Sequence, residues 1–161
     1  MPDYSLAGLL EPVRRHPVVA DALAAIARGG QGDLVGPLGL PEAVQPAAVA
    51  AIAGELDVPL LWLVPHIDEA RALADALAAY LAAPERLVVF GAPDALPYER
   101  IPWDPAVREQ RLAVLAAIHG HRGDGSGAAG APVIVAPLRA VLTPTLPPDV
   151  FDGGTFVVAR G

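Results

Sequence analysis

Short apolar runs alternate along this chain with segments of helical periodicity. Three such pairs of run and helical segment are 59–65 with 67–82, 86–90 with 106–119, and 133–136 with 138–142. Strands that alternate with helices form parallel sheets with right-handed crossovers. We therefore predict an α/β fold with a parallel sheet flanked by helices.

The run at 59–65, PLLWLVP, is apolar throughout, which predicts a strand buried on both faces. The helical segment after it places its apolar residues on one stripe, namely Ala70, Leu73, Ala74, Leu77 and Leu81. Residues 33–35 and 155–159 are further strand candidates. Because the last of these stops almost at residue 161, we expect the chain to be part of a longer protein.

Helical patterns also precede the first long run. One occupies residues 5–28, where Pro12 and Pro17 divide it and a glycine pair ends it. A second runs to about Leu56, and Pro46 fits best near its first turn because proline cannot donate an interior hydrogen bond.

Composition excludes several classes of protein. The formal net charge of −7 argues against broad attraction to nucleic acid. Cysteine is absent, which rules out disulfides and thiolate metal sites and fits a cytoplasmic protein. No apolar run reaches the roughly 18 residues of a membrane helix, so we expect no membrane association. All 11 basic residues are arginine, so lysine chemistry is excluded.

The segment LVGPLGLPEAVQ, residues 34–45, has the outline of a phosphate-binding loop. A working loop reads G-x-x-x-x-G-K-[ST], in which backbone amides and lysine hold phosphates and the hydroxyl holds magnesium. When this pattern begins at Gly36 and passes through Gly39, Pro41 takes the place of its second glycine, Glu42 that of the lysine, and Ala43 that of the serine or threonine. The segment therefore lacks an amide donor at the first of these positions, carries a negative charge at the second and has a methyl group at the third. We predict that the loop does not bind phosphate.

An acidic pair, Asp68-Glu69, follows the run at 59–65 and imitates the second half of a nucleotide site. Acidic residues in the first turn also stabilise the N-terminus of a helix, and we expect this role for the pair. These patterns leave two interpretations of residues 34–45 open, an ordinary strand-to-helix turn and a degenerate phosphate loop.

Residues 60–142 resemble the N-terminal module of bacterial transcription-repair coupling factor (Mfd). Its motifs occur in the family's order: a strand ending at Pro65, LPYE at 96–99, a Pro-rich turn at 102–105, Arg111-Leu112, and VAPLRAVL at 135–142. The resemblance covers the chain from about residue 30 to its end. It implies a degenerate P-loop, helicase-like fold related to the first domain of UvrB.

The resemblance also implies a division of the chain and a function. Residues 1–30 would be an N-terminal helical segment, 31–150 the degenerate P-loop domain, and 151–161 the start of a UvrA-binding-type domain. The module would be a non-catalytic scaffold in transcription-coupled nucleotide excision repair, without a cofactor. It would contact other domains of its own protein. UvrA and RNA polymerase would bind domains outside this fragment, and the ATP-dependent motor would also lie outside it.

Two alternatives remain open. One is a nucleotide-binding enzyme with an atypical phosphate site, and the other is an interaction module unrelated to repair. A candidate interaction surface contains Tyr98, Arg100, Trp103 and Arg108. Because acidic residues balance its arginines, we expect this surface to contact a neighbouring domain rather than DNA.

Arg111 lies in the middle of an apolar helical stripe with Val107, Val114 and Ile118. A structural arginine there should bury its stem and pair its guanidinium with a carboxylate or with carbonyls. We predict a fold-holding ion pair at Arg111 rather than a catalytic group. His119 and His121 lack a third ligand nearby and predict no metal site.

Overall fold

The computed structural model describes residues 5–29, 36–93, 99, 101–123 and 130–155. Its strands are β1 (Leu60–Val64), β2 (Leu87–Val89) and β3 (Val133–Pro137). Its α-helices are α1 (Leu10–Arg15), α2 (Pro17–Arg28), α3 (Gln45–Glu55), α4 (Ile67–Ala78), α5 (Pro105–Gly123), α6 (Leu138–Leu142) and α7 (Pro148–Gly154). Short 3-10 turns precede α1, α3 and β2.

The three described strands form one parallel sheet in the order β1-β3-β2. In the register, Leu60 and Leu87 both lie beside Val133, and Val64 lies beside Pro137. The middle strand β3 is buried along its whole length. The predicted parallel α/β architecture with flanking helices is therefore confirmed.

The two faces of the sheet are covered by different helices. On one face, Val133 and Val135 belong to a core cluster with buried residues of α3 and α4. The predicted stripe of α4 supplies Ala70, Ala74 and Leu77 to this cluster. On the other face, Ile134 and Ala136 are buried on the side where α5 packs against β2.

The N-terminal helices pack into the same core as the sheet. Leu10 of α1 and Val19 of α2 are buried in the cluster that contains α3. Arg14 adds an ion pair to Glu55 at the end of α3, with its Nε 3.1 Å from Oε1. The predicted helical pattern of residues 5–28 is confirmed, and it is divided at His16 and Pro17, whereas Pro12 lies inside α1.

One prediction about β1 is wrong. The strand is not buried on both faces, because Leu61 and Leu63 remain 49% and 47% exposed. Leu60, Trp62 and Val64, on the opposite face, are half-buried toward α3 and α4. A continuous apolar run indicates that a strand can be buried on both faces, but whether it is buried depends on what packs there.

The two remaining strand candidates lie outside the described residues, since these exclude 30–35 and 156–161. The structure places a helix, α7, before the second candidate, and this helix contains residue 150. A domain boundary between 150 and 151 would therefore fall inside a helix. Every helix in the described part of the chain is too short or too polar to span a bilayer.

Candidate functional site

The segment that resembles a phosphate loop runs from Gly36 to Pro41 as irregular backbone. Gly39 has a φ of +61°, in the left-handed region that favours glycine. A 3-10 turn, Glu42–Val44, separates this segment from α3. The side chains of Glu42 and Ala43 are exposed.

Phosphate binding at a helix start depends on free backbone N–H groups. Here the N–H of Val44 donates to Pro41 O at 2.9 Å, and that of Gln45 donates to Glu42 O. Pro41 and Pro46 have no N–H. Two of the amides around the start of α3 are therefore used inside the turn, and two more are absent because the residue is proline.

Two cavities lie beside this segment. One, of about 460 Å³, separates it from α1 and α2, and another, of about 410 Å³, lies between Leu38, Ile52 and Trp62. No arginine lines either cavity, and His16 is the one ionisable side chain among the described residues that line them. A polyphosphate would find no cationic partner here.

The acidic pair Asp68-Glu69 lies in the first turn of α4, and both side chains are exposed. Asp68 is 3.7 Å from the Arg71 guanidinium one helical turn later. Carboxylates at this position stabilise the positive end of the helix dipole, which is the role expected from the sequence.

Arg111 is the most highly connected polar side chain in the described structure. It is 3% exposed, and its guanidinium donates to carbonyl oxygens on three segments. These bonds join Nη1 to Gly91 O (3.1 Å) and Ala140 O (3.0 Å), and Nη2 to Thr143 O (3.0 Å) and Pro144 O (3.3 Å). The segment after β2 is thereby tied through α5 to the end of α6.

Aromatic rings complete the surroundings of Arg111. Its Cζ lies 4.3 Å from the centroid of Phe90 and 5.2 Å from that of Trp103. Such contacts stabilise a cation that is partly removed from water. Burial lowers the pKa of Arg111 by desolvation, yet a guanidinium stays charged at neutral pH. A full positive charge therefore lies on the buried face of α5.

The sequence predicted a carboxylate or carbonyls as partners of Arg111, and the structure shows carbonyls. None of the ion pairs between described residues includes Arg111, so the predicted ion pair is replaced by bonds to carbonyl oxygens. The packing is also tight beside it. A Cβ added to Gly91 would lie 3.3 Å from Val107 O and 2.5 Å from Oε1 of Gln110, so a larger residue would require at least the Gln110 side chain to move.

The structure describes two of the four residues of the predicted interaction surface. Tyr98 and Arg100 lie outside the described residues. Trp103 is half-buried against Arg111, while Arg108 is exposed on α5. Asp104, between them, accepts a hydrogen bond from the N–H of Ala106 at 2.7 Å and caps the helix.

Arg108 lies at the rim of an apolar groove between α5 and α7, of about 780 Å³. We call this the α5–α7 groove, and its larger apolar residues are Leu112, Leu146, Val150 and Phe151. Leu112, Leu146 and Val150 are each exposed. On α7, Asp152 binds the Nδ1 atom of His119 at 2.8 Å, and Phe151 makes an edge contact with the same imidazole.

The sequence did not predict this groove, because α7 was not recognised. The sequence signal for α7 was Pro148 as an N-terminal helix residue after a Pro-rich stretch, followed by a glycine pair at 153–154.

In the part of the chain that the structure describes, no cluster of His, Asp and Glu suits a metal ion. No protein-family model matches the chain, and no curated protein is significantly similar to it.

Proposed function

We propose that this chain is the N-terminal, non-catalytic module of a bacterial transcription-repair coupling factor. It would act in transcription-coupled nucleotide excision repair, where it would support a following domain that recruits UvrA. The finer fold assignment, a degenerate P-loop domain related to the first domain of UvrB, belongs to the same proposal. The order and spacing of the motifs at 60–142 support this family assignment.

One observation carries the non-catalytic part of the proposal. Around the start of α3, Pro41 and Pro46 lack an N–H, the N–H groups of Val44 and Gln45 bind carbonyls of their own turn, and no arginine lines the adjacent cavities. Nucleotide hydrolysis requires groups that hold phosphates and a metal ion. The motor of the intact protein would therefore lie in another domain.

The bonds of Arg111 are consistent with a scaffold role. One of them joins Arg111, in the Arg111-Leu112 pair, to Ala140 in the segment 135–142, and both segments carry the resemblance. A charge buried among carbonyls fixes the relative positions of these segments. This arrangement suits rigid support rather than chemistry, because Arg111 is 3% exposed and its guanidinium N–H groups are bonded to carbonyl oxygens.

Calorimetric titration with ATP and magnesium tests the non-catalytic proposal. We expect no binding at millimolar nucleotide, both for the chain and for a Glu42→Lys variant. The variant restores the positive charge of a phosphate loop but not the amides that Pro41 and Pro46 lack. Micromolar binding by the unmodified chain would contradict the proposal and favour a nucleotide-binding enzyme with an atypical site.

A second candidate, an interaction module unrelated to repair, is favoured by the α5–α7 groove. Its exposed apolar lining and the exposed Arg108 at its rim are typical of a docking surface. The gene sequence after residue 161 distinguishes the two candidates. The repair proposal requires a UvrA-binding domain and translocase motor motifs after residue 161, and their absence would leave the interaction module.

A further inference from the structure

The segment that follows α6 lies on the surface of α5 with little burial. We call residues 145–155, which include α7, the strap. Phe151 is half-buried, and every other residue of the strap is exposed. Among the described residues, no hydrogen bond joins the backbone of the strap to another segment, and the bonds donated by Phe151 and Thr155 close within the strap itself. Segments with few buried side chains and few such bonds open locally at a low free energy.

The strap is also loosely packed against α5. Three cavities, of about 780, 330 and 220 Å³, lie along the contact between them. Leu146 lines all three cavities, yet it remains 44% exposed. Voids in a packed contact remove the attractive interactions that would hold its two sides together. The strap therefore covers this side of α5 without sealing it.

In the described part of the chain, polar contacts attach this region to α5 at two places. Just before the strap, the carbonyls of Thr143 and Pro144 accept hydrogen bonds from Nη2 of Arg111 at 3.0 and 3.3 Å. Near the end of the strap, Oδ1 of Asp152 lies 2.8 Å from Nδ1 of His119, and an aromatic ring of α7 meets the same imidazole edge-on. The first attachment uses a buried guanidinium, whereas both residues of the second are exposed.

The two attachments differ in strength. Hydrogen bonds from a buried cation to carbonyls are charge-assisted and are strengthened by the low local dielectric. An exposed ion pair contributes little to stability and is screened by salt. The end of the strap should therefore detach from α5 while Thr143 and Pro144 stay bound, with residues 145–147 as the hinge.

Detachment of the strap would also unfold α7. This helix has 7 residues, and helices of that length are not stable in water without tertiary contacts. Once extended, residues 145–155 could span up to roughly 36 Å. The polypeptide that follows Thr155 would gain this reach, because α7 would no longer hold Thr155 beside α5.

We infer that the strap is a releasable latch. In its closed state the contact between His119 and Asp152 holds α7 on α5. In its open state the strap swings about residues 145–147 while Arg111 keeps the preceding carbonyls in place, and Leu115 of α5 is uncovered. The latch does not depend on the proposed function. Its test needs only this chain, so a negative result would leave the repair proposal unaffected.

Amide hydrogen exchange tests the latch. We expect the hydrogen-bonded amides of α7 to exchange at least about 100-fold faster than those of β3, because they require only local opening. His119→Ala removes the ion pair and the ring contact, and it should accelerate exchange in α7 about three- to tenfold without changing β3. His121→Ala, at the same end of α5, is the matched control and should change neither. No ion pair or ring contact among the described residues includes His121.

Thiol labelling distinguishes release of the whole strap from fraying of its last residues. The chain contains no cysteine, and Leu115→Cys places one beneath the strap, where residue 115 lines two of the three cavities. Its alkylation by N-ethylmaleimide should accelerate in the His119→Ala background by the same factor as exchange in α7. Leu112→Cys, at a leucine that is 46% exposed, is the control and should label faster, at the same rate in both backgrounds.

Four results would overturn the latch. Exchange of α7 at the rate of β3 would show that the strap opens only when the whole domain unfolds. Equal acceleration of β3 by His119→Ala would show that this histidine supports the domain rather than the strap. Equal effects of His119→Ala and His121→Ala would show that the contact with Asp152 does not hold α7. Labelling of Leu115→Cys that does not respond to His119→Ala would show that only the last residues fray.

Discussion

Arg111 shows how much a single side chain can decide in this domain. Its guanidinium binds carbonyls that lie 20, 29, 32 and 33 positions away in sequence. Two of the carbonyls belong to Ala140 and Thr143 at the end of α6, where a helix leaves carbonyl groups without intrahelical partners. The charge therefore supplies donors to backbone acceptors at the end of α6 and in the segment after it.

We predict that Arg111→Lys lowers the free energy of unfolding by about 2 kcal/mol, measured by urea denaturation. A single ammonium cannot reproduce the planar fork that reaches carbonyls on separate segments. Arg108→Lys, an exposed change on the same helix, should alter stability by less than about 0.5 kcal/mol. Equal effects of the two substitutions would show that the carbonyl bonds of Arg111 contribute little.

Gly39 and Gly36 form a matched pair in the segment before α3. Neither has a heavy atom within 4 Å of an added Cβ, so backbone conformation alone distinguishes them. Gly39→Ala should cost about 1 kcal/mol of unfolding free energy because its φ is +61°. Gly36→Ala should be neutral or slightly stabilising. A thermal unfolding series compares the two, and a loss of stability in Gly36→Ala alone would contradict the assignment.

At the scale of elements, helix starts agree best with local sequence signals. Pro17, Pro46, Pro105 and Pro148 all lie in the first turn of a helix, where the missing N–H costs nothing. Asp104 precedes Pro105 and caps α5 through its side chain. Periodicity placed the buried stripes of α4 and α5 correctly. It gave no information on α7, which is short and has no buried residue.

The cap of α5 gives an element-scale prediction. Asp104→Ala should lower the free energy of unfolding by about 1 kcal/mol, because the N–H of Ala106 loses its acceptor. Asp104→Asn keeps an acceptor oxygen and should retain most of the stability. Chemical denaturation of the three proteins measures the difference. If the Asn variant were as unstable as the Ala variant, charge rather than the hydrogen bond would be responsible.

At the scale of the whole molecule, one core joins the N-terminal helices to the sheet. Val19 of α2, Ala51 of α3 and Val135 of β3 belong to a single buried cluster. Residues 5–29 therefore pack as part of the α/β unit rather than beside it. Domains of this size usually unfold in one cooperative transition.

We expect Val19→Ala to destabilise the entire molecule by about 2 kcal/mol, because it leaves a cavity at a side chain that is 1% exposed. Tryptophan fluorescence, which reports on Trp62 and Trp103, and helical circular dichroism should shift to the same lower midpoint. Val58→Ala, at a valine that is 54% exposed, is the control and should have little effect. Separate midpoints would instead indicate that the N-terminal helices unfold on their own.

The sequence by itself determined the features that depend on neighbouring residues or on chemical identity. Alternating runs and helical stripes determined the parallel α/β class, and Pro41, Glu42 and Ala43 lack the chemical groups that a phosphate loop needs. Only the tertiary structure decided the partners of Arg111 and the exposure of Leu61 and Leu63. Both depend on contacts between segments far apart in the chain. Apolar character and periodicity show that a residue can be buried, but they do not specify what will cover it.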